Sequence, residues 1–441
     1  MRRWTRVLGL SSELQRRVTV KRTAGFLILW ILGTVAWGRS ASIIPNPPVP
    51  EGLGVNIHFT DPRPGEMQML VDSGVRWVRM DFAWSATEKS PGQYDFSAYD
   101  RLMAALTEYH LRAILILDYG NDLYDQGLAP HTSRGRRAFA QWAAAAVRHF
   151  RGAGILWEMY NEPNGGFWRP HAKVENYIRL ARAVGEAIQS ADPQASYIGP
   201  ATSGIGLPST HLPIPFLEAC LRAGLLRYWS AVSVHPYRRS DPETAAADYQ
   251  MLREMIAKYA PGGKQIPILS GEWGYSSAWK GMDEARQTKL LARQWLTNIS
   301  NGIPISIWYD WHDDGADPHE PEHHFGTVHF PYDANHDPVY TPKPAFLAAR
   351  TLTHVLNGYT FQKRLPVGGA NDYVLTFEKD GVERLVAWTT DSTPHTLRIP
   401  TAQSPISLIG CEGNDLGPLP VVNGNAEVSV RDAPIYLVPG K

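Results

Sequence analysis

From Gly52 to Leu356 the chain alternates short apolar runs with longer stretches in which apolar residues recur every three or four positions. The short runs predict buried strands, and the longer stretches predict helices that cover one face of a sheet. The predicted strands are Gly54–Phe59, Val75–Phe82, Ala113–Tyr119, Ile155–Asn161, Ser196–Ala201, Trp229–His235, Ile266–Gly271 and Pro304–Tyr309. The predicted helices are Glu66–Ser73, Tyr99–His110, Arg136–Phe150, Val174–Ser190, Pro215–Ala223, Thr244–Tyr259, Glu284–Ser300 and Pro344–Leu356. Eight such units predict a (β/α)8 TIM barrel rather than an open doubly wound sheet.

The pattern changes after Gly358 to short alternating runs, such as Tyr373–Glu378 and Ala426–Val430, separated by Gly, Asn, Asp and Pro. Alternation with a period of two is typical of half-buried strands. We therefore predict a catalytic barrel over residues 46–357 and a small β-sandwich over residues 358–441.

The first 45 residues have the pattern of a targeting segment. Seven basic residues up to Arg22 precede an apolar run over residues 24–37 that contains no charge. The run is shorter than the roughly 20 residues of a usual membrane helix, so a cleaved signal and an uncleaved anchor both fit. Either one predicts a periplasmic or extracellular barrel, and an uncleaved segment would associate it with the inner membrane. A proline-rich linker follows from Ser40 to Pro50.

Composition narrows the function classes. Lys+Arg and Asp+Glu both number 43, so the formal charge is zero and nothing indicates a nucleic-acid partner. The chain has 15 Trp and 19 Tyr, which suits a protein that binds the flat faces of sugars and also suits any large core. Cys220 and Cys411 are far apart and lack metal-binding spacing, so we predict two buried thiols.

Two of the predicted strands end in a glutamate. Ile155–Tyr160 is followed by Asn161-Glu162-Pro163, and Ile266–Gly271 runs into Glu272. Glycoside hydrolysis commonly uses such a pair, one carboxylic acid to protonate the leaving oxygen and one carboxylate to attack or to activate water. Glu158 stands four residues before Glu162, roughly 13 Å lower along the strand, and is predicted to be a buried polar residue inside the barrel.

Polar and aromatic side chains stand at most of the other strand ends. Because the ends of barrel strands meet at one mouth, we predict that these side chains bind the substrate. The predicted substrate-binding residues are His58, Arg79, Trp84, Asp118, Asn161, Trp168, His235, Tyr237, Trp273, Trp308 and Trp311.

This set of motifs resembles the clan A retaining glycoside hydrolases over the whole barrel. The resemblance rests on Asn161-Glu162-Pro163, Glu272, His235-Pro236-Tyr237, Arg79 and Trp308. Details are closer to glycoside hydrolase family 39, and within it to the PslG-like enzymes of exopolysaccharide operons: Gly54–Phe59, the run Trp84–Asp100, and Lys343-Pro344-Ala345-Phe346.

The resemblance implies Glu162 as general acid/base and Glu272 as nucleophile. It implies that Asn161 holds the 2-hydroxyl of the substrate and that Tyr237 and Arg79 hydrogen-bond Glu272. It also implies that His235 lies near Glu162 and that Trp308 forms the floor of the sugar subsite. The implied reaction is retaining hydrolysis of β-glycosidic bonds in a polysaccharide, with no metal or organic cofactor, and we expect a monomer.

The segment Trp311–His324 is rich in His and Asp and is not part of the shared motif. A lid or subsite wall is the favoured interpretation, ahead of a solvated loop and of a metal site. Three other functions stay open: a non-catalytic carbohydrate-binding scaffold in polysaccharide export, an exo-acting β-glycosidase or β-xylosidase, and a metal-dependent hydrolase or deacetylase that uses this segment.

Overall fold

The computed structural model describes Ile44, residues 48–207 and residues 212–440. The predicted signal or anchor, with its apolar run at 24–37, lies outside the described residues. Within them, no helix is long and apolar enough to cross a membrane. The described residues belong to one compact unit, which contains both the barrel and the C-terminal sheets.

Eight parallel strands close into a barrel, as predicted. They are β1 (Leu53–Asn56), β2 (Trp77–Ala83), β3 (Arg112–Asp118), β4 (Leu156–Met159), β5 (Ser196–Thr202), β6 (Val232–Val234), β7 (Ile268–Trp273) and β8 (Ser306–Trp308). Each strand pairs with its neighbours in chain order, and β8 pairs with β1 to close the ring.

A helix follows each strand and covers the outside of the barrel. The helices are α1 (Glu66–Asp72), α2 (Ser97–Glu108), α3 (Ser133–His149), α4 (Val174–Ala191), α5 (Pro213–Arg222), α6 (Ala245–Tyr259), α7 (Glu284–Ser300) and α8 (Pro344–Val355). Two of them begin at side-chain caps, because Thr132 accepts a hydrogen bond from the amide of Gly135 and Asp283 accepts one from that of Arg286.

Smaller elements lie in the loops at the mouth. They are a helical turn (Trp84–Thr87), a hairpin (Glu88–Ser90 with Gln93–Tyr94), a second hairpin (Val328–Tyr332 with Tyr340–Pro342) and a 3₁₀ turn (Pro321–His324).

The barrel interior is built in layers. Side chains alternate between the two faces of each strand, so Trp77 and Arg79 on β2 both point inward. The lower layer is apolar and consists of Trp77, Ile114, Leu156, Ile198, Ala231, Leu269, Ile305 and Ile307. Above it the interior becomes polar, beginning with Arg79 and Glu158, both buried. The prediction that Glu158 is a buried residue inside the barrel is confirmed.

The C-terminal part is a β-sandwich. Its strands are β9 (Thr360–Arg364), β10 (Asp372–Lys379), β11 (Val382–Thr389), β12 (His395–Pro400), β13 (Ile406–Ile409), β14 (Asp415–Leu419), β15 (Val421–Val422), β16 (Asn425–Val430) and β17 (Ile435–Pro439). A sheet of six strands, in the order β9-β10-β11-β17-β13-β14, faces a sheet of three, β12-β16-β15. Apolar side chains from both sheets, among them Val374 and Val428, form the core between them.

The sandwich is fixed to the barrel by a buried ion pair. Both nitrogens Nε and Nη2 of Arg293 on α7 lie 2.7 Å from the carboxylate of Glu243, and the Trp388 ring of β11 donates to the same carboxylate at 2.7 Å. The cysteines are both free and buried, as predicted.

Candidate active site

A cavity of about 580 Å³ opens at the carboxyl ends of the barrel strands. Six of the predicted site residues line it: His58, Arg79, Asn161, Glu162, Tyr237 and Glu272. The other lining residues are Asn56, Asp81, Tyr119, Phe167, Ser203, Gly204, Leu207, Trp279, Tyr309, Glu322 and Phe325.

Arg79 connects the floor of the barrel to this cavity. Its Nε donates to Glu158 at 2.7 Å, and its Nη1 donates to Glu272 at 2.6 Å and to Asn56 at 3.2 Å. Its Nη2 donates to Asn161 at 2.9 Å and faces Nε2 of His235 at 3.2 Å. A guanidinium has five N–H groups, and here each has an acceptor.

Glu272 at the end of β7 is held as a carboxylate. Its Oε2 accepts from Arg79, and its Oε1 accepts from the Tyr237 hydroxyl at 2.8 Å. Burial alone would raise its pKa, but His235, Arg79 and Tyr237 together lower that pKa below the ordinary value of 4.5. Glu272 is therefore ionised over the physiological pH range.

Glu162 stands directly after β4 in a left-handed backbone conformation. Its φ is 43°, and that of Tyr160 is 64°, a region that side chains other than glycine rarely adopt. Hydrogen bonds hold the turn, because the Glu162 amide donates to Ala201 O at 3.1 Å and Gly165 donates to Glu162 O at 2.9 Å. Strain of this kind, about 1–3 kcal/mol per residue, is concentrated at functional sites.

His235 sets the position of the Glu162 carboxylate. Arg79 can only donate, so Nε2 of His235 must accept, and the ring proton must be on Nδ1. That N–H donates to Oε1 of Glu162 at 2.9 Å. His235 is fully buried, so it acts on Glu162 from behind rather than by contact with a ligand.

The carboxylates of Glu162 and Glu272 face each other closely. One oxygen of each, together with a ring nitrogen of His235, lies within 4.8 Å of the other two. Retaining glycosidases separate the two carboxyl groups by roughly 5–5.5 Å and inverting ones by roughly 6.5–9.5 Å, because inversion needs room for a water molecule. An approach of one oxygen of each carboxylate to within 4.8 Å agrees with the shorter separation.

The side chains of His58 and Asn161, which line the cavity, are each held in place by polar contacts with neighbouring residues. Nε2 of His58 lies 2.8 Å from Oδ2 of the buried Asp310, and that carboxylate raises the pKa of His58 to about 10 despite burial. The Asn161 amide donates to the Tyr119 hydroxyl at 3.0 Å while its oxygen accepts from Arg79. Both side chains are thus oriented before any ligand enters.

The tryptophans predicted to bind sugar do not reach the cavity. Trp84, Trp273, Trp308 and Trp311 are each 1 % exposed or less, so none offers a ring face to a sugar, and the prediction is wrong for these four. Each ring packs the loops or the upper core instead; the indole of Trp308, for example, donates to Phe325 O at 3.1 Å. Trp168 is 2 % exposed and borders a separate hollow beside the cavity, so its role in substrate binding stays a prediction. The rings that do line the cavity come from Tyr119, Phe167, Tyr237, Trp279, Tyr309 and Phe325.

Asp118 was expected to contact the substrate but is fully buried. The lining position belongs to its neighbour in space, Asp81. Asp81 and Tyr119 stand at strand ends, a signal visible in the sequence, whereas Phe167, Trp279 and Glu322 come from loops whose course no periodicity reveals.

The segment Trp311–His324 is anchored near its start and contributes to one wall of the cavity. The Trp311 ring donates to Glu66 at 3.2 Å, and the buried Lys343 donates to Asp313 at 3.0 Å. Glu322 then reaches the cavity from the 3₁₀ turn. This placement agrees with a subsite wall, the interpretation that the sequence favoured.

Three groups of the described residues bring potential metal ligands within 4.8 Å of one another. They are Glu162, His235 and Glu272; His58, Asp310 and Asp314; and Asp372, Asp391 and His395. In the first group Arg79 already neutralises Glu272 and the ring nitrogen that faces the carboxylates carries a proton, so the donor set fits an acid/base pair better than a cation.

The barrel, the paired carboxylates and the arginine beneath them define a retaining glycoside hydrolase of the clan A type. The sequence model of the cellulase family, glycosyl hydrolase family 5, matches residues 54–315, and the chain belongs to this family. No curated protein matches the chain.

Solved structures of related enzymes superimpose over most of the chain. A family 39 glycoside hydrolase from Bacteroides cellulosilyticus WH2 is 25% identical with a TM-score of 0.75, over 88% of this chain and 81% of that one. A family 39 β-xylosidase from Caulobacter crescentus is 18% identical with a TM-score of 0.64, over 90% and 98%. A family 30 endoxylanase from Clostridium papyrosolvens is 12% identical with a TM-score of 0.62, over 88% and 96%. The predicted resemblance to clan A, and within it to family 39, is confirmed.

Proposed function

We propose that this enzyme hydrolyses β-glycosidic bonds of an exopolysaccharide by double displacement, with Glu272 as nucleophile and Glu162 as acid/base. The observation that carries the proposal is the asymmetry between the two carboxylates. Arg79 and Tyr237 occupy both oxygens of Glu272 and keep it ionised, whereas Glu162 receives a single hydrogen bond from His235 and lines the open cavity.

The first step follows from this geometry. Glu272 attacks the anomeric carbon while Glu162 gives its proton to the leaving oxygen, which forms a covalent glycosyl-enzyme. In the second step Glu162, now a carboxylate, removes a proton from water, and the water oxygen displaces Glu272. The two inversions give net retention, and both carboxyl groups return to their starting protonation.

A polymer substrate is supported by a second hollow beside the cavity. The hollow measures about 500 Å³ and is lined by Gly165, Gly166, Trp168, Pro170 and Phe216 among others. The loop that borders it also places Phe167 in the cavity wall. Binding sites on both sides of this loop would accommodate sugar units on either side of the scissile bond. The basic and apolar N-terminal pattern supports action outside the cytoplasmic membrane, free or anchored through residues 24–37.

Azide rescue tests the two roles. In Glu162→Ala an activated aryl β-glycoside still glycosylates Glu272, and azide then attacks without base help to give the β-glycosyl azide. In Glu272→Ala azide occupies the site of the missing nucleophile and gives the α-azide. The same anomer from both variants, or rescue of neither, would contradict the assignment. Incubating the wild type with a panel of exopolysaccharides and sizing the products identifies the polymer.

A further inference from the structure

We propose that Asp81, supported from behind by a protonated Asp118, is the acceptor for hydroxyl groups of the glycone and restricts that sugar to an uncharged one. The proposal rests on the proposed function, because it names the substrate class of the same cavity.

The strand register brings the two aspartates together. Asp81 follows Arg79 by two residues on β2, so both side chains point into the barrel. On β3, Asp118 pairs with Ala83, which is two residues beyond Asp81 on the same face. The two carboxyl groups are close enough that each affects the pKa of the other. Asp81 lines the cavity, whereas Asp118 lies fully buried behind it.

The carboxyl group of Asp118 receives no hydrogen bond from the residues that the structure describes around it. Among the described residues, no N–H or O–H group donates to either of its oxygens. The charge of Arg79 acts on Asp118, but all five N–H groups of Arg79 face other acceptors: Glu158, Glu272, Asn56, Asn161 and His235. A carboxylate that is fully buried beside a second carboxylate and has no donor is strongly disfavoured, so one member of the pair is protonated.

The proton resides on Asp118 because its environment disfavours charge more strongly. Burial and the neighbouring Asp81 raise the pKa of Asp118 well above its ordinary value. Burial also raises the pKa of Asp81, but Arg79, Asp118 and the charged His58 partly offset that effect. The pair therefore carries one negative charge, which is located on the member that faces the ligand.

A carboxylate at this position selects its ligand by charge and by hydrogen bonding. Its free lone pairs accept from sugar hydroxyls, and bonds to a charged acceptor are about twice as strong as neutral ones. The carboxylate of a uronic acid would meet Asp81 as a like charge in a partly desolvated cavity, so such a glycone is excluded. The chemistry fits a neutral glycone with free hydroxyl groups.

The test compares binding and cleavage in Asp81→Asn, Asp118→Asn and Asp118→Ala, with the exposed Asp72→Asn on α1 as the matched control. Binding of methyl β-glycosides, their monodeoxy analogues and the matching methyl β-uronides is measured by calorimetry. In the wild type we expect one monodeoxy analogue to bind about 10- to 100-fold more weakly than its parent, and uronides not to bind. In Asp81→Asn that deoxy penalty falls to a fewfold.

Asp118 is a positioning residue that acts through Asp81. Its variants distinguish a role in orienting the Asp81 carboxylate from a role in packing the barrel interior. The amide of Asp118→Asn replaces the donated proton, so this variant keeps the deoxy penalty, whereas Asp118→Ala reduces it. The infrared difference spectrum between the wild type and Asp118→Asn at neutral pH should contain one neutral carboxylic acid C=O band, the acid band of Asp118, because the band of the proposed general acid Glu162 is common to both proteins and cancels. A purely structural Asp118 would lower the melting temperature in the Ala variant and leave the deoxy penalty unchanged, which would contradict the proposal.

Three further results would contradict the proposal for Asp81 and Asp118. An unchanged deoxy penalty in Asp81→Asn, uronides that bind as tightly as neutral glycosides, or the absence of the acid band would each overturn the inference. Because binding and the infrared band need no turnover, failure of all hydrolysis with these results intact would overturn the proposed function alone.

Discussion

The two ends of the barrel interior are made from the same strands but differ in chemistry. On β2, Trp77 belongs to the apolar lower layer and Arg79 lies one inward position above it; on β4, Leu156 and Glu158 stand in the same relation. The lower layer is apolar and stabilises the fold by burial. The upper layer buries charges, which destabilises a protein unless every group is paired. Side chains only two residues apart on the same strand thus belong either to the apolar layer that stabilises the fold or to the charged layer beneath the candidate active site.

The charges of the upper layer can be buried because every N–H group of Arg79 faces an acceptor. Its cation compensates Glu158 below and Glu272 above, so it supports both the barrel interior and the proposed nucleophile. We therefore expect a substitution of Arg79 to lower both stability and activity.

The largest effect is expected for Arg79→Leu, which leaves two buried carboxylates without a cation. We expect the free energy of unfolding to fall by about 3–5 kcal/mol and kcat/KM to fall by at least roughly 10³-fold. Chemical denaturation and aryl-glycoside kinetics measure the two losses. In the double variant Arg79→Leu/Glu158→Leu much of the stability should return, whereas activity should not. Recovery of both would contradict the claim that Arg79 is needed for activity as well as for stability.

Leu156→Ala should affect stability alone. Leu156 is fully buried in the lower layer, so removing its side chain leaves a cavity that costs about 2–5 kcal/mol. The kcat/KM of the folded fraction should stay within about twofold of the wild type, since no side chain of the lower layer lines the cavity. A large loss of activity at full folding would show that the two layers are coupled.

Tyr237→Phe should move the pH profile. Activity requires ionised Glu272, so kcat/KM falls as the pH drops through its pKa, which the Tyr237 hydroxyl helps to keep below 4.5. Removing that hydroxyl raises the pKa, and the acidic limb of the profile should move to higher pH. An acidic limb at the same pH in both proteins would show that it does not report Glu272.

The smallest effect is expected for Trp279→Ala. Trp279 lines the cavity and packs beside Phe325, whereas Trp308 is buried. Loss of a stacking ring should raise KM several-fold with little change in kcat and in melting temperature. Trp308→Ala serves as the contrast, because its main effect should be a loss of stability of about 3–5 kcal/mol. Equal effects of the two variants on KM would contradict the placement of these rings.

Much of the fold could be predicted because its signals are local. Apolar runs of strand length alternate with helical periodicity, and each of the eight predicted strands overlaps an observed one. The glutamates could be located because Asn161-Glu162-Pro163 and Glu272 end such runs, and strand ends in a barrel share one mouth.

The identity of the cavity-lining side chains could not be predicted fully, because it depends on side-chain packing. Whether a loop tryptophan faces a sugar or the core depends on contacts between distant segments, which explains why the sequence does not predict the burial of Trp273 and Trp311. Asp81 and Asp118 both stand at strand ends, and only the register between β2 and β3 decides which of them lines the cavity.

Covalent trapping tests the central claim most directly. Incubation with activated 2-deoxy-2-fluoro β-glycosides of several neutral sugars, followed by peptide mass spectrometry, should find one fluoroglycosyl group on the peptide and side chain of Glu272. The electronegative fluorine slows both steps, and the good leaving group allows only the first to proceed, so the intermediate accumulates. Glu272→Gln should remain unlabelled. A label on Glu162 or Glu158, or an α-configured first product from a natural β-glycoside, would contradict the account.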